Sequence, residues 1–208
     1  MPTTLPLPWP DLLALLGVVT AMAFTPGPNT LLSASLAANR GLGPALRFCV
    51  AVPVGWCAML LLCALGLGAL IEAQPALRGA IKWGGLAYLL WLAAKLARSG
   101  ALGEADRRRL HVGFWQGVAL QFVNIKAWLA ALLVVAGWIA PGPAEAFWPR
   151  LALVTPVMAA YAFGSNLSYA LVGGLLRGWL AHGQRLRRFN QGMAGLLLAT
   201  ALWMAVSA

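Results

Sequence analysis

A proline–glycine–proline sequence interrupts an apolar run that is long enough to cross a membrane. The run covers residues 12–36, and the interruption is Thr-Pro-Gly-Pro-Asn at 25–29. Proline has no backbone N–H and its ring clashes with the preceding turn. A helix therefore stops here and leaves the carbonyls of Met22 and Phe24 without partners. In hydrocarbon such a break survives only where protein or a wet cavity satisfies the freed groups. We interpret this break as one half of a binding site.

The rest of the chain has the composition of a membrane protein. Of its 208 residues, 61% are hydrophobic and 10% are charged, and the mean hydropathy is +0.79. A soluble domain normally carries about 25% charged residues, and a membrane-spanning helix needs about 20 apolar residues. The sequence predicts an all-α integral membrane protein with six transmembrane helices, from apolar runs at 12–36, 45–71, 77–97, 115–139, 151–175 and 189–206.

The net charge of +10 indicates membrane topology rather than nucleic-acid binding. The positive residues lie mostly in short loops between apolar runs, whereas a nucleic-acid-binding protein presents one contiguous basic face. Lysine and arginine are enriched in the cytoplasmic loops of membrane proteins. Eleven of them fall on one side of the predicted membrane, and three, Arg78, Lys82 and Arg150, fall on the other. This bias predicts that both termini lie outside the cytoplasm.

A polar loop at 99–112 divides the six runs into a first repeat at about 11–98 and a second at about 113–207. Because each group has three helices, related halves would be inverted relative to each other. The fourth run contains a counterpart of the first break at Asn124-Ile125-Lys126. Corresponding interruptions in inverted halves are typical of a transporter site at the bilayer midplane. We predict one transmembrane domain of two inverted three-helix repeats, with helices one and four interrupted.

Lys126 is the only charged residue deep inside an apolar run. It lies eleven residues after Trp115 and thirteen before Ile139, so its ammonium group does not easily reach either surface. A lysine at this depth costs roughly 2.5–3.5 kcal/mol on insertion scales. One interpretation is that Lys126 binds a substrate carboxylate or titrates during transport. The alternative is structural, with the ammonium group capping backbone carbonyls that a helix break leaves free.

A zwitterion is the substrate class that these residues favour. No aspartate or glutamate lies inside the predicted membrane core, so a lysine or arginine substrate would bring a second, unpaired positive charge. The carboxylate of a zwitterion would meet Lys126 and the positive end of the half-helix that starts near Pro28. Its ammonium group would meet the carbonyls freed near Met22 and Phe24.

The fifth run adds polar side chains at helical spacing. Tyr161, Ser165 and Ser168 share one face, and Asn166 and Tyr169 share another. Such side chains either line a cavity or hold helices together, and both interpretations stay open for Asn166 and Tyr169. The candidate substrate-binding residues are Pro26, Gly27, Pro28, Asn29, Gln121, Asn124, Lys126, Asn166 and Tyr169.

Other function classes find less support in the residues. A membrane enzyme needs a paired base and nucleophile or a metal set near one membrane face, and the sequence has neither, so no catalytic residue is predicted. Cys49, Cys57 and Cys63 lack CxxC spacing, which argues against a redox relay. They also lack the spacing and the neighbours of a metal site, so no metal or cofactor is expected. A metal-ion exporter, a redox relay and a membrane enzyme are the alternatives.

The residues around both breaks resemble the LysE/RhtB family of amino-acid exporters. The sequence at 25–29, followed by two leucines at 31–32, is similar to the family signature. Residues 82–92 and 114–126 are similar to its third-helix and fourth-helix patterns. Most members have Asn-Pro-Lys where this chain has Asn-Ile-Lys, and the proline-free form resembles the cysteine and O-acetylserine exporter branch. Many members also carry a smaller or polar residue where this chain has Trp56.

The resemblance implies a secondary transporter in the bacterial inner membrane. It implies export of small neutral amino acids or derivatives of the cysteine and O-acetylserine type, driven by proton antiport. The expected partners are then a small zwitterionic amino acid, a coupling proton and the lipid bilayer, without nucleic acid; a homo-oligomer is compatible with such a protein. Neither the direction of transport nor the coupling ion follows from composition or spacing.

The charge bias generates a prediction about topology. A cysteine introduced by Ala105→Cys, in a variant without the three native cysteines, should be protected from a membrane-impermeant thiol reagent added outside the cell, because the loop at 99–112 lies in the cytoplasm. Ala144→Cys, on the opposite side, should react. Labelling of residue 105 from outside the cell would show that the orientation is the opposite of the predicted one.

Overall fold

The chain folds as a bundle of α-helices around two points where the chain leaves helical conformation. A computed structural model describes residues 6–66, 73–99 and 112–207. Within these ranges there is no β-strand, which confirms the predicted all-α class. The eight α-helices found there are α1 (Trp9–Phe24), α2 (Pro28–Arg40), α3 (Leu42–Ala64), α4 (Pro75–Ala97), α5 (Phe114–Val123), α6 (Ile125–Val134), α7 (Phe147–Leu180) and α8 (Arg185–Ser207).

Both predicted interruptions are present. Helices α1 and α2 together form the first apolar run, and their axes are bent by 50°. Helices α5 and α6 form the fourth run and are bent by 70°; a π-helix at Val135–Ile139 continues α6. The second, third, fifth and sixth runs correspond to α3, α4, α7 and α8.

Length and composition identify fewer spans than the six that the runs predict. Among the described residues, α3 and α7 are each long and apolar enough to cross a membrane, and the two bent pairs raise the number to four. Helices α4 and α8 are each 23 residues long and are not among these spans. The six-crossing inverted repeat therefore stays a prediction. The repeat boundaries are also untested, and residues 100–111 of the predicted loop lie outside the described ranges.

Proline and glycine mark the ends of several helices. Pro28 and Pro75 occupy the first turns of α2 and α4, where the missing N–H has no helical partner to lose. Gly41 joins α2 to α3 with φ of +89°, a conformation that side chains with a Cβ rarely adopt. A Cβ built on Gly41 would also lie 2.9 Å from Nη1 of Arg177.

Helix α2 lies at the centre of the bundle. It packs against α3, α7 and α8, and its residues from Thr30 to Ala38 are all buried. At its closest contact, a Cβ built on Gly173 of α7 would collide with the carbonyl oxygen of Ala34 and lie 2.9 Å from its carbonyl carbon. This approach is therefore possible only with glycine at position 173.

A buried polar network joins the far end of α2 to α4 and α8. The amides of Asn39 and Asn190 exchange two hydrogen bonds of 2.8 and 2.9 Å. Nδ2 of Asn190 also donates to the carbonyl oxygen of Ser99, at 2.8 Å. Asn190 is fully buried, so these bonds replace the water that its amide loses on burial.

The apolar core consists of two main clusters, and the chain passes from one to the other at each break. The first cluster contains Leu15 of α1 and Ala131 of α6, together with parts of α3 and α7. The second contains Leu32 of α2 and Leu120 of α5, together with other parts of α3 and α7 and residues of α4 and α8. The two breaks thus lie at the boundary between the clusters.

The contact at Gly173 generates a prediction about stability. Gly173→Ala should destabilise the protein by about 1–3 kcal/mol, because the new methyl group forces α7 away from the backbone of α2. Gly178→Ala is the matched control, since that glycine lies on the same helix with nothing within 4 Å of its Cβ position. Melting temperatures of both variants in detergent test this, and equal values would contradict it.

Candidate functional site

The first break is stabilised by hydrogen bonds between the backbone of Gly27 and the side chain of Thr30. Helix α1 ends at Phe24 and α2 begins at Pro28. The N–H of Gly27 donates to Oγ1 of Thr30 at 3.0 Å, and that hydroxyl donates back to the carbonyl oxygen of Gly27 at 3.1 Å. Thr30 therefore caps the start of α2, at a position that the sequence did not single out.

The second break forms without proline. Asn124 has extended backbone angles between α5 and α6, and its carbonyl oxygen accepts from the N–H groups of Ala127 and Trp128 at 2.9 and 3.2 Å. The indole N–H of Trp128 donates to the carbonyl oxygen of Phe122 at 2.9 Å. Asn124 thus caps the new helix and Trp128 satisfies a carbonyl of the old one. Ile125 stands at the first helical position, where proline would fit equally well.

Side chains from other helices satisfy two carbonyls of the first break. The hydroxyl of Tyr169, on α7, donates to the carbonyl oxygen of Phe24 at 3.0 Å. Nζ of Lys126 donates to the carbonyl oxygen of Thr25 at 3.0 Å. The sequence predicted free carbonyls at Met22 and Phe24. Lys126 bonds to Thr25 because that residue has left the helix and has an extended backbone.

Lys126 therefore joins the two breaks. In the structure Lys126 caps a backbone carbonyl, which is the structural one of the two roles that the sequence left open. Its ammonium group has three N–H donors and uses one on Thr25. Nζ lies 3.3 Å from the Cβ position of Gly27, so glycine leaves room for the lysine. Among the described residues that line the cavity beside it, Lys126 is the one charged side chain.

Amide side chains form a second link between the breaks. Asn29 of α2 and Gln121 of α5 exchange two hydrogen bonds, of 2.8 and 3.2 Å, and Gln121 also donates to the carbonyl oxygen of Gly117. Ser33 donates to Oδ1 of Asn166 at 2.8 Å. Asn166 in turn donates to the carbonyl oxygen of Ala162. These amides, of which Gln121 and Asn166 are buried and Asn29 is half-buried, hold α2 against α5 and α7.

A cavity lies where the breaks meet, bounded by both bent pairs and by α3 and α7. Three of the predicted site residues do not line the cavity. Pro26 is exposed, Gln121 is buried behind Asn29, and the hydroxyl of Tyr169 donates to the carbonyl oxygen of Phe24. The other six candidates line the cavity: Gly27, Pro28, Asn29, Asn124, Lys126 and Asn166.

Several lining residues were not among the candidates. Tyr161 and Ser165 line the cavity from α7, and their spacing of four residues on one face was the available signal. Of the apolar lining, the resemblance to the family pattern singled out Trp56 alone. Residues such as Val19 and Met158 had no signal, because they are indistinguishable in sequence from ordinary helix-packing residues.

The cavity offers both donors and an acceptor. Lys126 has two N–H groups to spare, and the carbonyl oxygen of Thr25, which is also a lining residue, has a second lone pair. Oδ1 of Asn124 has no hydrogen-bond partner among the described residues, but this atom is itself buried and does not face the open cavity. The arrangement suits a small molecule that carries an anionic and a cationic group. The described residues contain no group of three or more histidine, cysteine or acidic side chains that would hold a metal ion.

Comparison with known proteins identifies the family of the chain. The family model of the LysE type translocators matches residues 20–207. A Klebsiella pneumoniae subsp. pneumoniae protein named cysteine/O-acetylserine efflux protein is 35% identical over 88% of this chain and 91% of its own. Proteins of the same name from Salmonella choleraesuis and Escherichia coli O1:K1 / APEC are 34% and 31% identical, each over 77% of this chain and 80% of their own. No solved structure matches the chain.

Proposed function

The chain belongs to the family of LysE type translocators, and we propose that it exports small neutral amino acids or their derivatives. It is a multi-pass bacterial membrane transporter and not an enzyme. The observation that carries the proposal is the cavity between the two helix breaks, in which Lys126 is the one charged side chain among the described lining residues. The relatives' shared name favours compounds of the cysteine and O-acetylserine type.

We propose that a zwitterion binds by inserting between Lys126 and Thr25. The ammonium group of Lys126 exchanges the neutral carbonyl oxygen of Thr25 for the substrate carboxylate, which is a stronger acceptor. The released carbonyl oxygen of Thr25 then accepts from the substrate ammonium group. One internal hydrogen bond is thereby replaced by several charge-assisted ones, which gives the substrate its binding free energy.

The helix ends support the same orientation. Helices α2 and α6 both begin at the cavity, at Pro28 and Ile125, and the N-terminal end of a helix carries a partial positive charge. Both ends therefore attract the carboxylate. No acidic side chain lines the cavity among the described residues, so the side chain of lysine or arginine would find no counter-ion there.

Helix contacts support the proposed inverted repeat. If runs one, two and three correspond to runs four, five and six, a contact between runs one and five should have an equivalent between runs four and two. Between whole runs this exchange is present: the first run packs on the fifth, and the fourth run packs on the second. The halves that carry these contacts differ, since the first run uses its second half, α2, and the fourth run uses mainly its first half, α5. Helix α4 packs on α8, which pairs the third run with the sixth. We therefore propose two three-helix repeats, at about 11–98 and 113–207, with six membrane crossings.

The remaining parts of the proposal concern location and energy. We place the transporter in the inner membrane with both termini outside, on the basis of the distribution of lysine and arginine. Export is proposed to be driven by proton antiport, as the family resemblance implies. Substrate that leaves the cell is then exchanged for protons that enter it.

Efflux from cells loaded with dipeptides tests the function. Cells that produce the protein should release neutral amino acids faster than cells without it, and should release lysine at the background rate. In inside-out membrane vesicles, an acidic lumen should drive accumulation of the neutral substrate, and a protonophore should abolish it. Lysine export at the rate of the best neutral substrate would contradict the binding scheme, and accumulation insensitive to the proton gradient would contradict antiport.

Lys126→Gln tests the carboxylate role. Glutamine keeps hydrogen-bond donors for the carbonyl oxygen of Thr25 but removes the charge, so the protein should still insert. Transport should fall at least tenfold, because a hydrogen bond to a charged group contributes roughly 1.5–3 kcal/mol. Lys126→Arg should also impair transport, since a planar fork does not replace a compact ammonium group.

Lys95→Gln provides the matched control. Lys95 lies near the end of α4, with its ammonium group 4.7 Å from the ring centroid of Trp91 and away from the cavity. This variant should transport at nearly the wild-type rate. If Lys126→Gln does so as well, at equal abundance in the membrane, Lys126 has a structural role only.

A further inference from the structure

Three helix ends meet at one end of the bundle. Helix α2 ends at Arg40, α7 ends at Leu180, and α8 begins at Arg185. Ala38 of α2 shares a small apolar cluster with Leu180 and Leu186, which brings the three ends together. Five arginines lie on these ends, and we call them the basic cluster: Arg40, Arg177, Arg185, Arg187 and Arg188.

Two guanidinium groups of the basic cluster are held in place. Nη1 of Arg177 lies 2.9 Å from the Cβ position of Gly41, so this group packs against the turn directly after Arg40. The guanidinium carbon of Arg185 lies 4.7 Å from the ring centroid of Trp179, and its Nη1 donates to the carbonyl oxygen of Trp179 at 3.3 Å. Cation–π attraction keeps the guanidinium group of Arg185 on the indole ring. Both groups therefore lose less side-chain entropy when they bind an anion.

The described acidic residues lie far from the basic cluster. They are Asp11 and Glu145. Glu145 precedes α7, and that helix separates it from Arg177 by roughly 45 Å. Asp11 is in the first turn of α1, whereas Arg40 ends α2, beyond the first break. Neither carboxylate can neutralise the arginines.

The acidic residues outside the described ranges do not offset this charge. Residues 100–111 contain Glu104 and Asp106 but also three arginines, so three positive and two negative side chains give this segment a formal charge of +1. Glu72 precedes α4, and it is the other end of α4 that contacts Asn190 of α8, through Ser99. The basic cluster therefore leaves an excess of positive charge that an external anion would neutralise.

The basic cluster adjoins a surface that faces lipid. Helix α7 is long and apolar enough to cross a membrane, and near its end Leu175 is 84% exposed and Trp179 is 56% exposed. Tryptophan is enriched where the hydrocarbon of a membrane meets the headgroups. Arg177 lies between these two residues in the sequence, and Arg185 stacks on Trp179. Both guanidinium groups therefore lie at the depth of the phospholipid phosphates.

We propose that the basic cluster binds an anionic phospholipid, with Arg177 and Arg185 contacting its phosphate and an acyl chain lying against Leu175. A guanidinium group binds two phosphate oxygens at once, through charge-assisted hydrogen bonds. A zwitterionic phospholipid has the same phosphate but brings a positive group next to the arginines, so the cluster discriminates against it. The site goes beyond the proposed function, because it requires no transported substrate.

Competition between two phospholipids tests the site. The full-length protein is purified in neutral detergent and mixed with equal amounts of phosphatidylglycerol and phosphatidylcholine that carry the same acyl chains, and native mass spectrometry measures the bound lipid. Wild-type protein should bind phosphatidylglycerol about tenfold more tightly. Arg177→Gln combined with Arg185→Gln should lower this preference about fivefold or more, because one arginine near an anionic headgroup contributes about a fivefold factor.

Arg47→Gln combined with Lys95→Gln is the matched control. It removes the same charge on the same predicted side of the membrane, but these residues lie on α3 and α4. The preference should stay within about twofold of wild type, because salt screens charges outside the binding site. If the glutamine pair in the cluster does not fold, Arg177→Lys with Arg185→Lys keeps the charge. This pair should lower the preference about threefold, since an ammonium group lacks the planar fork.

Several results would overturn the inference. They are equal binding of the two lipids by wild-type protein, an unchanged preference in the cluster variants, and an equal loss in the control variant. A preference that appears only after Glu104→Gln and Asp106→Asn would assign the cluster to the chain's own acidic side chains instead. Competition by glycerol phosphate at the same concentration would assign it to a soluble anion, since that compound has no acyl chain. Because the assay measures no transport, a failure of the proposed function leaves this result unaffected.

Discussion

The structure depends on how backbone carbonyls are satisfied where helices stop inside the bundle. A break in a membrane helix frees groups that lipid cannot hydrogen-bond. At the first break, the carbonyl oxygens of Phe24 and Thr25 accept hydrogen bonds from Tyr169 and Lys126, which lie far away in sequence. These bonds also bring α7 and α6 to the break. Satisfying the backbone therefore assembles the walls of the cavity in the same step.

Close helix contact is the second requirement, because short polar side chains reach a carbonyl only when the backbones lie near each other. A Cβ on Gly85 of α4 would collide with the carbonyl oxygen of Val123, at the end of α5, and one on Gly55 of α3 would lie 2.5 Å from that of Val118. These glycines let α3 and α4 support α5 just before its break. The amide pair of Asn29 and Gln121 then forms across the gap between α2 and α5.

Both interruptions were predictable because their causes are local. Proline at 26 and 28 stops a helix in any surroundings, and the polar Asn124 and Lys126 stand out in an apolar run. The hydrogen-bond partners of the groups at the breaks could not be predicted from the sequence, because they depend on which helices pack together. The sequence could not assign Lys126 to the carbonyl of Thr25, or show that Gln121 would be buried behind Asn29 rather than line the cavity. Apolar lining residues such as Val19 and Met158 carry no local signal, because a cavity wall and a core have the same composition.

The bond between Lys126 and Thr25 also bears on how export is coupled to protons. In the proposed scheme the lysine ammonium group has an acceptor in both states, the carbonyl oxygen of Thr25 when the site is empty and the carboxylate when it is loaded. By linkage, a site that binds its substrate through a protonated lysine binds proton and substrate together, whereas antiport requires them to bind in turn. Lys126 is therefore a fixed charge in this scheme and not the proton carrier. Substrate binding and proton coupling are then separate properties of the protein. A variant that loses proton coupling would therefore still bind substrate through Lys126.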